Sequence, residues 1–88
     1  MRLGGLWSRR RVVFLTRAGC RLCDEALIRV RRVCSWLGRT VMVREITEDR
    51  VLENEYHLRI PVLLDEQGRV LAEGTMATRE LLRAVWRS

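Results

Sequence analysis

Residues 17–26 read RAGCRLCDEA, with Cys20 and Cys23 separated by Arg21 and Leu22. Two thiols at that spacing can exchange electrons through a reversible disulfide. They can instead supply two of the ligands of a metal site, or sit inert as small apolar side chains. The flanking sequence decides among these by where it places them. An apolar run ends just before the pair and a helical pattern starts with it. Free backbone N–H groups and the positive end of the helix dipole gather at such a junction, and both favour thiolate over thiol. Arg17 and Arg21 add positive charge, whereas Asp24 and Glu25 lie further along and are expected in solvent. Cys20 is therefore expected to ionise below the ordinary cysteine value of about 8.5 and to act as the nucleophile. Cys23 follows one helical turn later on the same side. It can close a disulfide with Cys20 and so resolve a mixed disulfide.

The elements that must hold this pair are written in the hydropathy pattern. Val12-Val13-Phe14-Leu15 is wholly apolar and rich in β-branched residues, as in a strand buried on both faces of a partly parallel sheet. Ala26, Leu27, Val30, Val33, Cys34 and Leu37 recur every three or four residues and predict a helix, which Gly38 stops. Thr40 to Ile46 predicts a second strand. Thr47 is the expected cap of a second helix, with Val51, Leu52 and Tyr56 as a weak apolar face. Ile60 to Leu64, opened by the only proline, predicts a third strand. Asp65 to Gly68 is a hairpin turn, and Arg69 to Glu73 predicts a fourth strand. A last helix spans about Met76 to Trp86, with Leu81, Leu82, Val85 and Trp86 facing inward. The order is βαβαββα. A crossover sets the first two strands parallel and the hairpin sets the last two antiparallel. The expected fold is α/β, a four-stranded mixed sheet with helices on both faces.

The chain has 88 residues, the size of one domain, with residues 1–9 expected to be a flexible basic lead. A hydrophobic share of 48% supports a packed core rather than disorder. No apolar run approaches the roughly 20 residues of a membrane span, and the N-terminus is too polar for a secretion signal. A cytoplasmic protein without a membrane partner is expected. In a reducing compartment a close cysteine pair is more often catalytic or metal-binding than structural. The net charge is +6, and all 17 basic residues are arginine. They are scattered, apart from Arg9-Arg10-Arg11, and few aromatics accompany them to stack on bases, so nucleic acid is not an expected partner.

Three other residue types carry weaker signals. Cys34 lies eleven residues beyond Cys23, about 16 Å along a helix, too far for a disulfide. Its place on the apolar stripe makes it a core residue. His57, the sole histidine, could join Cys20 and Cys23 at a metal, but a closed zinc site needs four ligands and a second CxxC is missing. A role at a helix end or on the surface is the plainer expectation. Trp7, Trp36 and Trp86 are separated and expected to cover core edges.

The run from Thr16 to Ala26, together with Arg59-Ile60-Pro61-Val62-Leu63, resembles the small glutaredoxin-like proteins of the thioredoxin fold. The resemblance extends from Arg10 to Trp86. It implies a thioredoxin-like fold and a cis peptide before Pro61 that faces the cysteine pair. It further implies that the backbone of Ile60 pairs with the substrate, and that Arg17 contacts glutathione. No bound cofactor is implied, and glutathione is the candidate co-substrate. Two departures matter. Dithiol glutaredoxins carry a proline and an aromatic residue between the cysteines, where this chain has Arg21 and Leu22. Their glycine–aspartate glutathione motif is replaced by Glu73-Gly74-Thr75. Fold and thiol chemistry therefore carry over better than glutathione specificity.

The expected function is that of a thiol–disulfide oxidoreductase, with Cys20 attacking and Cys23 resolving. Its substrates would be protein or small-molecule disulfides or glutathionylated thiols, and its reductant glutathione or a thioredoxin-reductase-type protein. The competing class is a binding module whose two thiolates hold a metal or an iron–sulfur cluster, with further ligands from a second subunit. A third is an adaptor of the same fold whose cysteines have no redox role.

Overall fold

The computed structural model describes residues 11–88. The expected basic lead, residues 1–9, and Trp7 lie outside the described residues.

Among these residues the chain runs β1 (Arg11–Thr16), α1 (Arg21–Leu37), β2 (Thr40–Glu45), a single 3₁₀ turn (Ile46–Glu48), α2 (Arg50–Tyr56), β3 (Val62–Asp65), β4 (Val70–Glu73) and α3 (Thr78–Arg87). The four strands form one sheet in the order β2-β1-β3-β4. β1 is parallel to β2, antiparallel to β3, and β3 is antiparallel to β4. This is the thioredoxin-like α/β architecture.

β1 is a central strand, which is why its sequence is apolar on both sides. Val12 and Phe14 face a core closed by α1 and α3 and built on Val30, Val33, Leu63, Leu81 and Val85. Leu15 faces the opposite layer, where Ile46, Val62 and Leu64 pack with Leu52 and Tyr56. Fully burying each large apolar side chain contributes about 1.5–3 kcal/mol, so the two layers together fix the sheet between its helices.

α1 begins at Cys20, whose backbone is extended (φ −96°, ψ 103°), and ends at Gly38 in the left-handed conformation (φ 69°). A side chain at Gly38 would be strained there. Arg39 then donates from its guanidinium to Leu37 O and Val85 O, both at 3.1 Å, joining the C-terminal ends of α1 and α3.

Several elements differ from the sequence expectation. α2 is capped by Asp49, not Thr47: its Oδ1 accepts from Val51 N at 2.9 Å and Leu52 N at 3.2 Å. Thr47 is absorbed into the 3₁₀ turn. Ile60 and Pro61 precede β3 rather than opening it, and β4 starts at Val70 rather than Arg69. Val51 is exposed, leaving Leu52 and Tyr56 as the packed face of α2. Trp86 is 70% exposed and Trp36 59%, so neither fills the place assigned to it. Both tryptophans sit one helical step off the buried stripe of their helix, next to Val85 and Leu37. Among the described residues, no helix is long and apolar enough to cross a membrane.

Candidate functional site

β1 leads straight to the cysteines. After Thr16 the chain turns through Arg17-Ala18-Gly19 and enters α1 at Cys20. The turn closes through Cys20 N, which donates to Arg17 O at 3.2 Å. Gly19 stands at φ 81°, the positive angle that the third residue of such a turn requires. Cys20 is then the N-cap of α1. Its Sγ accepts from Cys23 N at 3.1 Å, and its carbonyl accepts the first intrahelical bond from Asp24 N at 3.0 Å. The sulfur thus occupies the position that a capping oxygen usually takes, among the free N–H groups of the first turn.

Cys20 and Cys23 are joined as a disulfide with their Cα atoms 5.2 Å apart. The two are not equivalent. Cys23 is 0% exposed, whereas Cys20 is partly open to solvent. Leu22, between them, is 38% exposed, and Arg21 pairs loosely with Glu25 at 3.6 Å across the surface. An exposed pair of that kind contributes only about 0–1 kcal/mol, so Arg21 is free to move. Arg17 is half-buried on the turn, and among the described residues no ion pair involves it.

β3 approaches the same end of β1. Their pairing ends at Leu15↔Val62. Continuing that register sets Pro61 opposite Thr16 and Ile60 opposite Arg17, beside the turn that carries Cys20. The Ile60–Pro61 peptide bond is cis. Pro61 is buried, and its carbonyl accepts from Gly74 N at 2.9 Å. Ile60 N is already engaged, donating to Tyr56 O at 3.1 Å. Among the described residues no donor is bonded to the Ile60 carbonyl.

Two clamps hold this region that the sequence reading did not single out. Arg59 bonds Glu73 through Nε at 3.0 Å and Glu55 through Nη1 at 3.2 Å, with its guanidinium carbon 4.9 Å from the Tyr56 ring centre. The hydrogen bond to Glu73 raises the Arg59 pKa above its already high ordinary value. Arg29 reaches from α1 to the chain before α3, donating to Thr75 O at 2.6 Å and Met76 O at 3.3 Å. Met76 is buried at φ 36°, a left-handed angle that a side chain adopts at some cost, and Arg29 helps to hold it there. Thr75 ends Glu73-Gly74-Thr75, the stretch that departs from the glutaredoxin glutathione motif, and Met76 follows it.

A third missed residue is Glu45, at the end of β2. Its Oε1 accepts from Ala18 N at 2.9 Å and its Oε2 from Thr47 Oγ1 at 2.8 Å. The parallel register Thr16↔Glu45 was the signal for it, once β1 and β2 were paired.

The remaining chemistry-bearing residues lie apart. Cys34 is unpaired and 1% exposed in the core. His57 is exposed and ends α2 in the right-handed conformation (φ −58°), with Nδ1 3.0 Å from Glu53 O. Among the described residues, no group of three or more His, Cys, Asp and Glu side chains is arranged to hold a metal ion. A depression of about 900 Å³ lies at the other end of the sheet, lined by Arg11, Asp65, Arg69 and Arg87 among others. The cysteine pair is not part of it: Cys20 is partly open to solvent and Cys23 is buried behind it.

Comparison with known proteins agrees with this arrangement. No curated protein matches the chain. The chain is similar to the X-ray structure of the structural genomics target protein XcR50 from X. campestris, with 26% identity and a TM-score of 0.74 over 88% of this chain and 97% of that one. The family model of the glutaredoxin-like domain (DUF836) matches residues 11–85, from the first residue of β1 into α3. That match and the Cys20–Cys23 pair together indicate a redox type of function. The chain belongs to the glutaredoxin-like domain family.

Proposed function

We propose that the protein is a thiol–disulfide oxidoreductase in which Cys20 attacks and Cys23 resolves. The observation that carries this reading is the unequal setting of the two sulfurs: Cys20 caps α1 and is reachable from solvent, whereas Cys23 is enclosed behind it. In the reduced protein the Cys20 thiolate attacks one sulfur of a substrate disulfide. A Cys20–substrate mixed disulfide forms, and the other substrate sulfur leaves as a thiolate that takes a proton. Cys23 then loses its proton and attacks Cys20 Sγ. The Cys20–Cys23 disulfide closes and the second substrate thiol departs. Two electrons have passed from the dithiol to the substrate, and an external thiol reductant restores the pair.

The substrates are protein disulfides or glutathionylated thiols, and the reductant is glutathione or a thioredoxin-reductase-type protein. The open surface around Cys20 accommodates a macromolecular substrate. Arg17, half-buried on the turn before Cys20, would stabilise the Cys20 thiolate or bind a substrate carboxylate. Ile60 and Pro61 supply the edge beside which an extended substrate would lie.

The test is turnover of a glutathionylated peptide with glutathione as reductant, set beside reduction by a thioredoxin reductase. Cys20→Ser should abolish both activities. Cys23→Ser should trap a mixed disulfide on Cys20. Alkylation of the reduced protein near neutral pH should label Cys20 first. Preferential labelling of Cys23, or full turnover in Cys20→Ser, would defeat the assignment of roles.

A further inference from the structure

In the turn that carries Cys20, the Ala18 amide finds its acceptor on a side chain rather than on the backbone. Residues 17–20 close on Cys20 N to Arg17 O at 3.2 Å. That bond leaves the N–H of the second residue, Ala18, pointing out of the turn. Its acceptor comes from 27 positions away in sequence, Glu45 Oε1 at 2.9 Å. Glu45 is itself aimed. It ends β2 beside Thr16 in the parallel register, and its Oε2 accepts from Thr47 Oγ1 at 2.8 Å and Thr47 N at 3.4 Å. One half-buried carboxylate therefore ties the nucleophile's turn to the end of the neighbouring strand β2, with one oxygen on Ala18 and the other on Thr47 of the 3₁₀ turn.

We infer that Glu45 is a positioning residue for Cys20: its carboxylate fixes the turn from which the nucleophile enters α1 and places a negative charge beside it. The inference rests on the oxidoreductase reading, since it assigns a role within that site. Two residues span at most about 7 Å of chain, so the carboxylate lies within about 10 Å of the Cys20 backbone. The other charged residues close to Cys20 in the chain are Arg17 on the turn and Arg21, Asp24 and Glu25 on α1, with Arg21 and Glu25 paired. At the end of β2, Arg44 pairs with Asp49 at 3.4 Å, so Glu45 is not neutralised by it. At about 10 Å a single charge shifts a thiol pKa by about 0.3–1 unit, depending on how far water screens it. Glu45 thus places the thiolate precisely at some cost to its acidity.

Two substitutions separate placement from charge. In reduced Glu45→Gln the amide oxygen still accepts from Ala18 N, so hydrogen exchange at that amide should stay close to the parent's. The Cys20 pKa, followed by thiolate absorbance, should fall by about 0.3–1 unit. In Glu45→Ala the pKa should fall similarly, and the Ala18 amide should exchange faster by about two- to tenfold, the worth of one hydrogen bond. An unchanged or raised Cys20 pKa in Glu45→Gln overturns the electrostatic role, and does so even if Glu45→Ala fails to fold. Ala18 exchange in a folded Glu45→Ala that is no faster than in the parent overturns the placement role. Neither readout needs a substrate. If instead the parent's Cys20–Cys23 pair will not cycle between thiol and disulfide, the oxidoreductase reading falls, and Ala18 exchange still decides whether Glu45 holds the turn.

Discussion

Cys34 offers a titration that reports on the core beneath the site. Its side chain is 1% exposed on the inner stripe of α1. Burial pushes the thiol up to about 11, with the Arg39 charge pulling the other way. The folded state therefore disfavours the thiolate. Below the unfolded value the thiol is neutral in both states, and its full contribution to stability is present. As pH rises from about 9 to about 11 the unfolded chain ionises first, and stability is lost through that window. A gap of about two units corresponds to about 3 kcal/mol at most, at 1.36 kcal/mol per unit. That is a large share of the about 4–13 kcal/mol typical of an 88-residue protein. The background is quiet. The chain has no lysine, its 17 arginines stay charged throughout, and it holds a single tyrosine. The assay is urea unfolding of the oxidised protein, so that Cys20 and Cys23 do not titrate, beside Cys34→Ala at about pH 8 and about pH 11. The parent should lose up to about 3 kcal/mol more than Cys34→Ala between the two. Parallel losses would refute the reasoning, because the thiol would then titrate alike in both states and could not be enclosed. The same enclosure makes Cys34 silent to alkylation in the native protein, and Cys23 shares it, so alkylation of the native, reduced protein reads Cys20.

Other outcomes follow from named contacts. Arg17→Gln should raise the Cys20 pKa if the guanidinium stabilises the thiolate, or raise KM for a glutathionylated peptide if it binds the substrate carboxylate; no change in either would leave Arg17 a solvated side chain. Asp49→Ala removes the α2 cap and should lower stability by about 1 kcal/mol in urea titrations. Phe14→Ala, at the centre of the larger core, should cost about 3–5 kcal/mol. Asp65 is raised by burial, but hydrogen bonds from the Arg69 and Gln67 amides and the Arg69 guanidinium outweigh that and hold its carboxyl below the usual range. Its contribution is present above the ordinary carboxylate value of about 3.9 and is lost as pH falls below it, so Asp65→Asn should flatten the acid limb of the stability curve.

What the sequence made legible was decided by which interactions are local. The apolar stripe of α1, the Gly38 stop and the Asp65–Gly68 turn depend on neighbours within a few positions, and the structure has all three. The parallel pairing of β1 with β2 and the antiparallel pairing of β3 with β4 follow from connection rules applied to those elements; the antiparallel pairing of β1 with β3, which sets the strand order, comes from the folded sheet. The misses have a different origin. Thr47 and Asp49 are both good caps, and the choice between them is made by Glu45, which takes the Thr47 hydroxyl and leaves Asp49 to start α2. Trp86 looks like a core residue by type, but α3 presents Leu81 and Val85 to the sheet and turns Trp86 outward. For the site, the cysteines and their place at a helix start were readable from a ten-residue stretch. The contacts of Glu45 with Ala18, Arg29 with Thr75 and Arg59 with Glu73 were not, because each spans 14 or more positions to atoms that only the folded sheet brings near.

The engagement of Ile60 N by Tyr56 O bears on how long a partner would stay. An extended chain lying against Ile60 would meet a carbonyl able to accept but no amide free to donate. It would gain one backbone hydrogen bond there instead of a reciprocal pair. One such bond is worth about 0.5–1.5 kcal/mol, which shortens dwell time by about two- to tenfold at equal association rate. If Ile60 is the docking edge proposed above, it would grip sequence-independent backbone weakly and let go quickly. Such an edge would suit brief encounters with many chains better than long residence on one.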